Sequence, residues 1–248
     1  MTGAPMSIDD AGYERLAEFH DLFMDEPWQR LGPYVRDAFA HLGGDAVVVE
    51  VGAGTGMGTR TIAREMPARI VALEPALVMR AVLTARMADD TDLASRVTVV
   101  AGSAPGDLHL LPDTVDGFVC AHMLGHLERV ARRDLLAWLG SHLNPGGVGL
   151  VTTQQAPDPG AADEDIVEVR RLGDYEYRAL HLSAGRAAAE AYTSRYEVWH
   201  GETRIRDERF SGSWRIVGAD DIAADLPPTL RLEPVDRSVA LIRPRAPV

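Results

Sequence analysis

Val47-Val48-Val49-Glu50-Val51-Gly52-Ala53-Gly54-Thr55-Gly56-Met57-Gly58 runs from an uninterrupted apolar stretch straight into alternating glycines. A strand that feeds a glycine-rich turn and then a helix brings bare backbone amides and a helix N-terminus to one place, where a ligand can meet them. Glycines serve there because side chains would block the approach and the turn needs permissive backbone angles. Spacing narrows the kind of loop. The dinucleotide fingerprint G-x-G-x-x-G, begun at Gly52, requires glycine where Met57 stands; begun at Gly54, it requires glycine where Thr59 stands. No Lys-Ser/Thr pair follows, which excludes a P-loop. The pattern present is E-x-G-x-G-x-G, with an acid two residues before the first glycine.

Outward from this loop, short apolar runs alternate with helical stretches. The runs are Ala46–Val51, Arg69–Leu73, Val97–Ala101, Gly117–Ala121 and Val148–Thr152; the helices include Gly58–Glu65, Ala76–Met87 and Arg129–Leu143. Apolar strands alternating with amphipathic helices predict an α/β fold with a parallel sheet covered on both faces. Upstream, Ser7, Ile8, Asp9 and Asp10 are placed to cap a helix carrying Tyr13, Leu16, Phe19, His20 and Phe23. A second helix is expected after Glu26-Pro27, with Trp28, Leu31, Tyr34, Val35 and Phe39, ending near Gly43-Gly44.

After Thr153 the pattern changes. Gln154–Asp165, with Pro157-Asp158-Pro159-Gly160 and three consecutive acids, reads as a loop. Strand-like pieces follow: Ile166–Leu172 and Tyr175–Leu182 around Gly173-Asp174, then Tyr192–Trp199 and Thr203–Trp214 around His200-Gly201-Glu202. They predict two antiparallel hairpins. A helix at Asp220–Asp225 and strands at Leu230–Pro234 and Ser238–Ile242 close the chain. The expected division is a helical lid (1–44), a main domain (45–154 and 216–248) and an inserted antiparallel cap (155–215).

The glycine loop resembles the first motif of class I S-adenosylmethionine-dependent methyltransferases, in which Glu50, Gly52, Ala53, Gly54, Thr55 and Gly56 would wrap the methionine part of the cofactor. Ile70-Val71-Ala72-Leu73-Glu74-Pro75 is similar to the family's second marker, a strand ending in an acid. The resemblance implies that Glu74 accepts both ribose hydroxyls, a bidentate task suited to a carboxylate. Glu74-Pro75-Ala76-Leu77-Val78-Met79 also resembles the acid-x-x-x-x-Met pattern, with Met79 near the adenine. Gly102-Ser103-Ala104 falls at the adenine end. Here the chain departs from the family, in which Asp is common where Ser103 stands; a hydroxyl accepts from the adenine amino group more weakly. Leu143-Asn144-Pro145-Gly146-Gly147 matches the L-x-P-G-G turn. These markers span Ala46 to Thr152 in order. The implied fold is a Rossmann-like class I methyltransferase sheet with helices on both faces, an N-terminal helical lid and an antiparallel β cap after the fifth strand.

In open α/β sheets ligands sit beyond the carboxyl ends of the strands. Ala121-His122-Met123-Leu124-Gly125-His126 follows the fourth strand and so faces the cofactor's reactive end. In the family, residues here contact the methionine portion and border the acceptor. His122 and His126 are the candidate proton acceptors, since imidazole titrates near neutrality; the competing role for His126 is to brace the helix. Ala17-Glu18-Phe19-His20-Asp21-Leu22-Phe23 resembles the "YDL" segment of small-molecule methyltransferases, whose tyrosine closes over the cofactor; His20 replaces it, and Trp28 is a second contact from this region. The cap resembles that of glycine N-methyltransferase and the nucleotide-sugar amine N-methyltransferases, where it roofs the acceptor pocket and in some members makes a dimer interface, so a homodimer is within expectation. Tyr13, Tyr175, Tyr177, Arg178, Tyr196, Trp199 and Trp214 are the candidates for lining that pocket, although aromatic strands are common for β propensity alone.

Composition bounds the partners. A net charge of −12 argues against nucleic acid, which needs a basic stripe. It is compatible with a cationic acceptor and serves solubility. The single cysteine, Cys120, lies in an apolar run where an inert thiol is expected. All the basic residues other than histidine are Arg, with no Lys, and Ala is abundant, an association with GC-rich bacterial genomes. The first 21 residues are polar and acidic, unlike a signal peptide, and no apolar run approaches the ~20 residues of a membrane span. The expected compartment is the cytoplasm. No ligand set of zinc spacing is visible, and no metal is expected. The expected reaction is methyl transfer from S-adenosylmethionine to a small-molecule or peptide acceptor, with N-methylation favoured. O-methylation of a phenol, hydroxyl or carboxylate is the alternative, followed by a fold that binds the cofactor without transferring methyl. Glycine spacing disfavours an NAD-dependent oxidoreductase.

Overall fold

A computed structural model describes residues 10–155, 166–182 and 191–245. Two sheets organise the chain. The larger has seven strands: β1 (Val47–Val51), β2 (Arg69–Glu74), β3 (Val97–Ala101), β4 (Val115–Cys120), β5 (Leu143–Thr152), β10 (Leu230–Pro234) and β11 (Val239–Pro244). Their order is β10-β11-β5-β4-β1-β2-β3. The first five strands pair in parallel, while β11 runs antiparallel between β5 and β10. The sheet is therefore mixed, with its antiparallel pair at one edge.

Burial on both faces explains the unbroken apolar runs. Val48, Ile70 and Val119 point to one face, packed under α1 (Asp10–Phe39), α2 (Met57–Glu65) and α3 (Leu77–Ala88). Val49, Val71 and Phe118 point to the other, under α5 (Arg129–His142) and α6 (Ala219–Asp225). This is the period-two alternation of strands, with the inward positions apolar except Glu50 in β1 and Glu74 at the end of β2. A short helix, α4 (Thr91–Arg96), lies before β3 and is capped by the Asp90 carboxylate; it was not expected. Cys120 is fully buried, and burial pushes its thiol well above the usual range.

Two further expectations change. The two N-terminal helices are one helix of 30 residues that passes through Pro27 and Pro33. Each proline removes one backbone donor, but the apolar stripe is continuous across them, and Trp28, Leu31, Val35 and Phe39 are all buried. The capping residues Ser7, Ile8 and Asp9 lie outside the described residues. Strand β5 starts at Leu143, not Val148, with an irregularity in its pairing near Asp116 that the Asn144 side chain fastens by donating to the Asp116 carboxylate at 2.8 Å.

The insertion contains the two expected hairpins, β6 (Ile166–Leu172) with β7 (Tyr175–Leu182) and β8 (Ala191–His200) with β9 (Thr203–Ser213), and the pairing of β7 with β8 joins them into one four-stranded antiparallel sheet. Two-residue turns begin with Gly173 and Gly201, both at φ +58°. The acidic loop expected over 154–165 lies outside the described residues from 156 onward. One face of this cap sheet presents Tyr177, Ala179, Tyr196, Val198 and Phe210 to Phe19 and Phe23 of α1. Phe19 stacks on Tyr196 with centroids 4.8 Å apart and meets Tyr177 and Phe210 edge-on. Ion pairs Arg206–Glu18 (2.6 Å) and Arg170–Glu26 (3.7 Å) rim the contact.

One helix thus packs its N-terminal half on the cap and its C-terminal half on the main sheet. Phe19 is fully buried at that junction. Phe19→Ala should cost about 3–5 kcal/mol, measured by denaturant unfolding; a loss under 1 kcal/mol would mean that the cap does not rest on α1 as described.

Candidate active site

Because β1 to β5 are parallel, their C-terminal ends lie along one edge. There stand the glycine turn after β1, Glu74-Pro75 after β2, Gly102-Ser103-Ala104 after β3, Ala121-His122 after β4 and Thr152 at the end of β5. The turn is tied to β2 by Gly52 N and Ala53 N, which both donate to Leu73 O at 2.9 and 3.1 Å. Gly52, Gly54 and Gly56 have φ of +74°, +57° and +82°, a left-handed geometry that other residues adopt at a cost. A Cβ on Gly54 would meet nothing nearer than the His20 ring at 3.6 Å, so the backbone there is bare.

Glu74 faces this turn. Its Oε2 accepts from Gly54 N at 2.7 Å and its Oε1 from Ala76 N at 2.9 Å. A carboxylate offers about four lone-pair sites, so each oxygen keeps one for a further donor. Burial raises the Glu74 pKa, and the two backbone N–H groups oppose it. Arg80 donates to the carbonyls of Glu74 and Pro75 at 2.9 and 2.8 Å, which fixes the segment. Met79 is buried beneath, against Ala76 and Ala17.

Above the turn, α1 brings His20, Asp21 and Trp28. Asp21 takes the Thr55 hydroxyl and an Arg86 guanidinium, and Arg86 also donates to Thr55 O at 2.9 Å. Burial alone would raise the Asp21 pKa; bonds from His20, Arg86 and Thr55 outweigh it and hold the carboxyl well below its usual range. The His20 Nδ1 lies 3.4 Å from Thr55 Oγ1. Three elements are thereby locked around the glycine turn.

Glu50 is buried below it. Thr59 Oγ1 donates to Glu50 Oε2 at 2.6 Å, and burial pushes the carboxyl up to about 8 against that bond. The Trp28 ring lies so close that a Cβ on Gly58 would fall 2.3 Å from it and 2.4 Å from Glu50 Oε1. His122 contacts the same ring edge-to-face, centroids 5.5 Å apart. Its backbone is at φ +56°, rare outside glycine, and its N–H donates to Thr152 Oγ1 at 2.8 Å. Strain of this kind clusters at functional sites. Glu50 Oε1 and His122 Nε2 are buried without a hydrogen-bond partner among the described residues. Two such atoms in residues close to Trp28 are unmet demands that a bound polar group would satisfy.

Burial lowers both His122 and His126 to about 4, helped by the nearby His20. His126 packs edge-to-face on Trp214, centroids 4.3 Å apart. Gly125 makes this possible, since a Cβ there would lie 2.6 Å from both Arg215 O and the Trp214 ring. Trp214 is held in turn by donating to Gln154 Oε1 at 2.7 Å.

The structure therefore gathers His20, Trp28, the glycine turn, Glu50, Glu74, His122, His126 and Trp214 around one sheet edge, with Ala121 buried beneath. Tyr177 and Tyr196 are instead part of the aromatic core between cap and α1. Arg178 and Trp199 stack on each other, 4.4 Å from guanidinium to ring, on the opposite face of the cap sheet. Tyr175 is exposed beside His200. Tyr13 lies in α1 outside the residues whose side chains are described. Asp21, Arg86, Thr59, Thr152 and Gln154 were not singled out from sequence; only Asp21, next to His20, carried a local signal.

A seven-stranded sheet ordered 3-2-1-4-5 from its parallel edge, with a glycine turn after β1 and an acid after β2, defines the class I methyltransferase architecture. Residues 48–147 match the family model described as "Methyltransferase domain". The fold and this match agree on a methyltransferase domain over that part of the chain, and the bare glycine turn, the half-satisfied Glu74 and the two unpartnered buried atoms fit S-adenosylmethionine as its cofactor. No curated protein matches the sequence. Among solved structures, DesVI of Streptomyces venezuelae is similar at TM-score 0.70 and 17% identity, over 96% of this chain and 99% of that one. CalS10 of Micromonospora echinaspora, an amino pentose methyltransferase, is similar at 0.68 and 18%, over 97% and 99%. The glycopeptide N-methyltransferase MtfA, bound to S-adenosylhomocysteine, is similar at 0.56 and 21%, over 85% of each chain. These likenesses show the fold.

Glu50 generates a pH-dependent expectation. Its folded pKa of about 8 exceeds the unfolded value, so between the two the folded state holds the extra proton and stability falls as pH rises; above about 8 the dependence levels off. Glu50→Gln should keep the Thr59 bond without that penalty. Its gain in Tm over the unaltered, ligand-free protein should grow from about pH 5 to pH 8 and then hold constant. A difference independent of pH would contradict the buried, proton-holding carboxyl.

Proposed function

We propose that this protein N-methylates an amine of a small or medium-sized acceptor, such as a sugar amine, a peptide N-terminus or another specialised metabolite. The observation that carries the reading is the packing of the two imidazoles at the end of β4, His122 against Trp28 and His126 against Trp214, in surroundings that disfavour their charged forms. With pKa lowered to about 4, His122 and His126 are neutral at working pH and weak as bases. A general base works best with a pKa near the operating pH. A hydroxyl acceptor must surrender its proton as it reacts, and neither imidazole is suited to take it. An amine that enters neutral already has its lone pair and can shed its proton to water afterwards.

The bound cofactor supplies an activated methyl group on a sulfonium, so the protein's task is alignment and exclusion of water. In this reading the glycine turn (Gly52 to Gly56) and Glu50 hold the methionine part. Glu74 takes the ribose hydroxyls with its spare lone pairs, while Pro75, Met79 and Gly102 to Ala104 border the base. His20 and Trp28 close over the cofactor from α1, which acts with residues 1–44 as the lid. His122, His126 and Trp214 border the acceptor, and the insertion of residues 155–215 roofs it. The buried Tyr177 and Tyr196 belong to the roof's own core. Neighbours described as an amino pentose methyltransferase and a glycopeptide N-methyltransferase support amine chemistry. Among the described residues no helix is long and apolar enough to cross a membrane.

The test joins product analysis to one variant. Incubation with amine and hydroxyl acceptors of matched size should yield N-methyl product and no O-methyl product. His122→Ala should keep turnover within about tenfold, far from the ~10²–10⁴-fold loss of a positioned base. O-methyl product together with a loss of that larger size would overturn the assignment.

A further inference from the structure

Strand β11 pairs Val239 with Thr152 and Ile242 with Gly149, so it runs from the edge that carries the glycine turn towards the opposite one. That opposite edge lies beyond Gly147, about 16 Å from Thr152 at the rise of an extended strand. An open cavity of about 600 Å³ is found there, where β5 and β10 begin and β11 ends. Leu143 and Leu230 give it apolar walls. Its charged lining residues are Arg231, Arg243 and Arg245, and no Asp or Glu among the described residues lines it. The chain as a whole has 37 acids against 25 arginines.

The arginines are held together against their own repulsion. Arg231 and Arg243 stand directly opposite each other across β10 and β11, a placement in which like charges destabilise a sheet. Glu233 bridges them, pairing with Arg231 and accepting from Arg243 Nε at 3.0 Å. Arg245 N donates to Thr229 O at 2.7 Å and its Nε to Leu230 O at 2.8 Å, which brings a third guanidinium to the same end of the sheet. The terminal nitrogens of Arg243 and Arg245 have no hydrogen bond among the described residues. Three guanidiniums against one carboxylate leave a local excess of two positive charges.

We propose that this cavity binds the phosphate group of a small phosphorylated molecule, at a site separate from the one that holds the glycine turn. Guanidinium is charged at any working pH, and its fork of donors matches phosphate oxygens in pairs. A phosphate monoester carries about −1.5 to −2 near neutrality, which meets the local excess. Its oxygens point in several directions, so guanidiniums from two strands can bind it at once; a carboxylate offers two oxygens in one plane. The apolar walls receive the organic part of the ester, and the volume suits a small ligand. With a net charge of −12 the protein repels anions in general, so attraction here comes from the arginine cluster itself.

The test is calorimetric titration of the full chain with phenyl phosphate, with succinate as the control dianion at the same ionic strength. One phenyl phosphate should bind per chain, in preference to succinate. Arg243→Gln and Arg245→Gln should each weaken it by about tenfold, the weight of a hydrogen bond to a charged group. Arg245 is exposed at the end of the sheet, so its variant probes the cavity without disturbing the fold. Saturating S-adenosylhomocysteine should leave the titration unchanged, because its site lies at the other edge. Absence of binding, equal binding of succinate, full affinity in both variants, or displacement by S-adenosylhomocysteine would each overturn the proposal.

Discussion

The hydrogen bond from Gly54 N to Glu74 Oε2 joins the two strand ends on which the site is built. It can form only because the turn after β1 is left-handed at three glycines and because β1 and β2 are parallel neighbours in register, with Val51 beside Leu73. Those constraints place a buried carboxylate against bare backbone at the C-terminal edge of the sheet. Burial would favour losing its charge, and the backbone donors resist that. A turn of this shape is costly in isolation and cheap once both ends are fixed. The apolar strands supply the fixing, through cores on both faces of the sheet.

The second constraint is α1. A 30-residue helix spans about 45 Å at 1.5 Å per residue. That length lets Phe19 and Phe23 support the cap while Leu31, Val35 and Phe39 pack on the main sheet. His20, Asp21 and Trp28 fall between the two halves, where the Asp21–Arg86–Thr55 contacts fasten the helix over the glycine turn. The cap sheet, the main sheet and the glycine turn therefore share one element, and a change in how α1 sits would be felt at all three.

Legibility in the sequence followed the range of the signal. The turn from Val47 to Gly58 and the acid at Glu74 were legible because strand, glycines and helix are consecutive and each has a local cause. The strands of the insertion were legible one by one, from alternation and the turns at Gly173 and Gly201. Their union into one sheet was not, because the pairing of β7 with β8 is made across residues with no turn signal. Pro27 read as a helix break because the local cost is real; packing of Trp28 and Leu31 on the sheet overrides it. Asp21, Arg86 and Thr55 meet from separations that no local pattern encodes. The aromatic strands of the cap read equally as pocket lining or core, and only the position of Phe19 assigns Tyr177 and Tyr196 to the core.

The central claim, a site built for S-adenosylmethionine around Glu74 and the glycine turn, is tested most directly by thermal unfolding with saturating S-adenosylhomocysteine or NAD. A ligand at 100 times its Kd stabilises by about 2.7 kcal/mol. S-adenosylhomocysteine should raise the Tm of the unaltered protein by several degrees, NAD should leave it unchanged, and Glu74→Ala should lose most of the rise at the same concentration. A rise with NAD alone, or an undiminished rise in Glu74→Ala, would contradict the account.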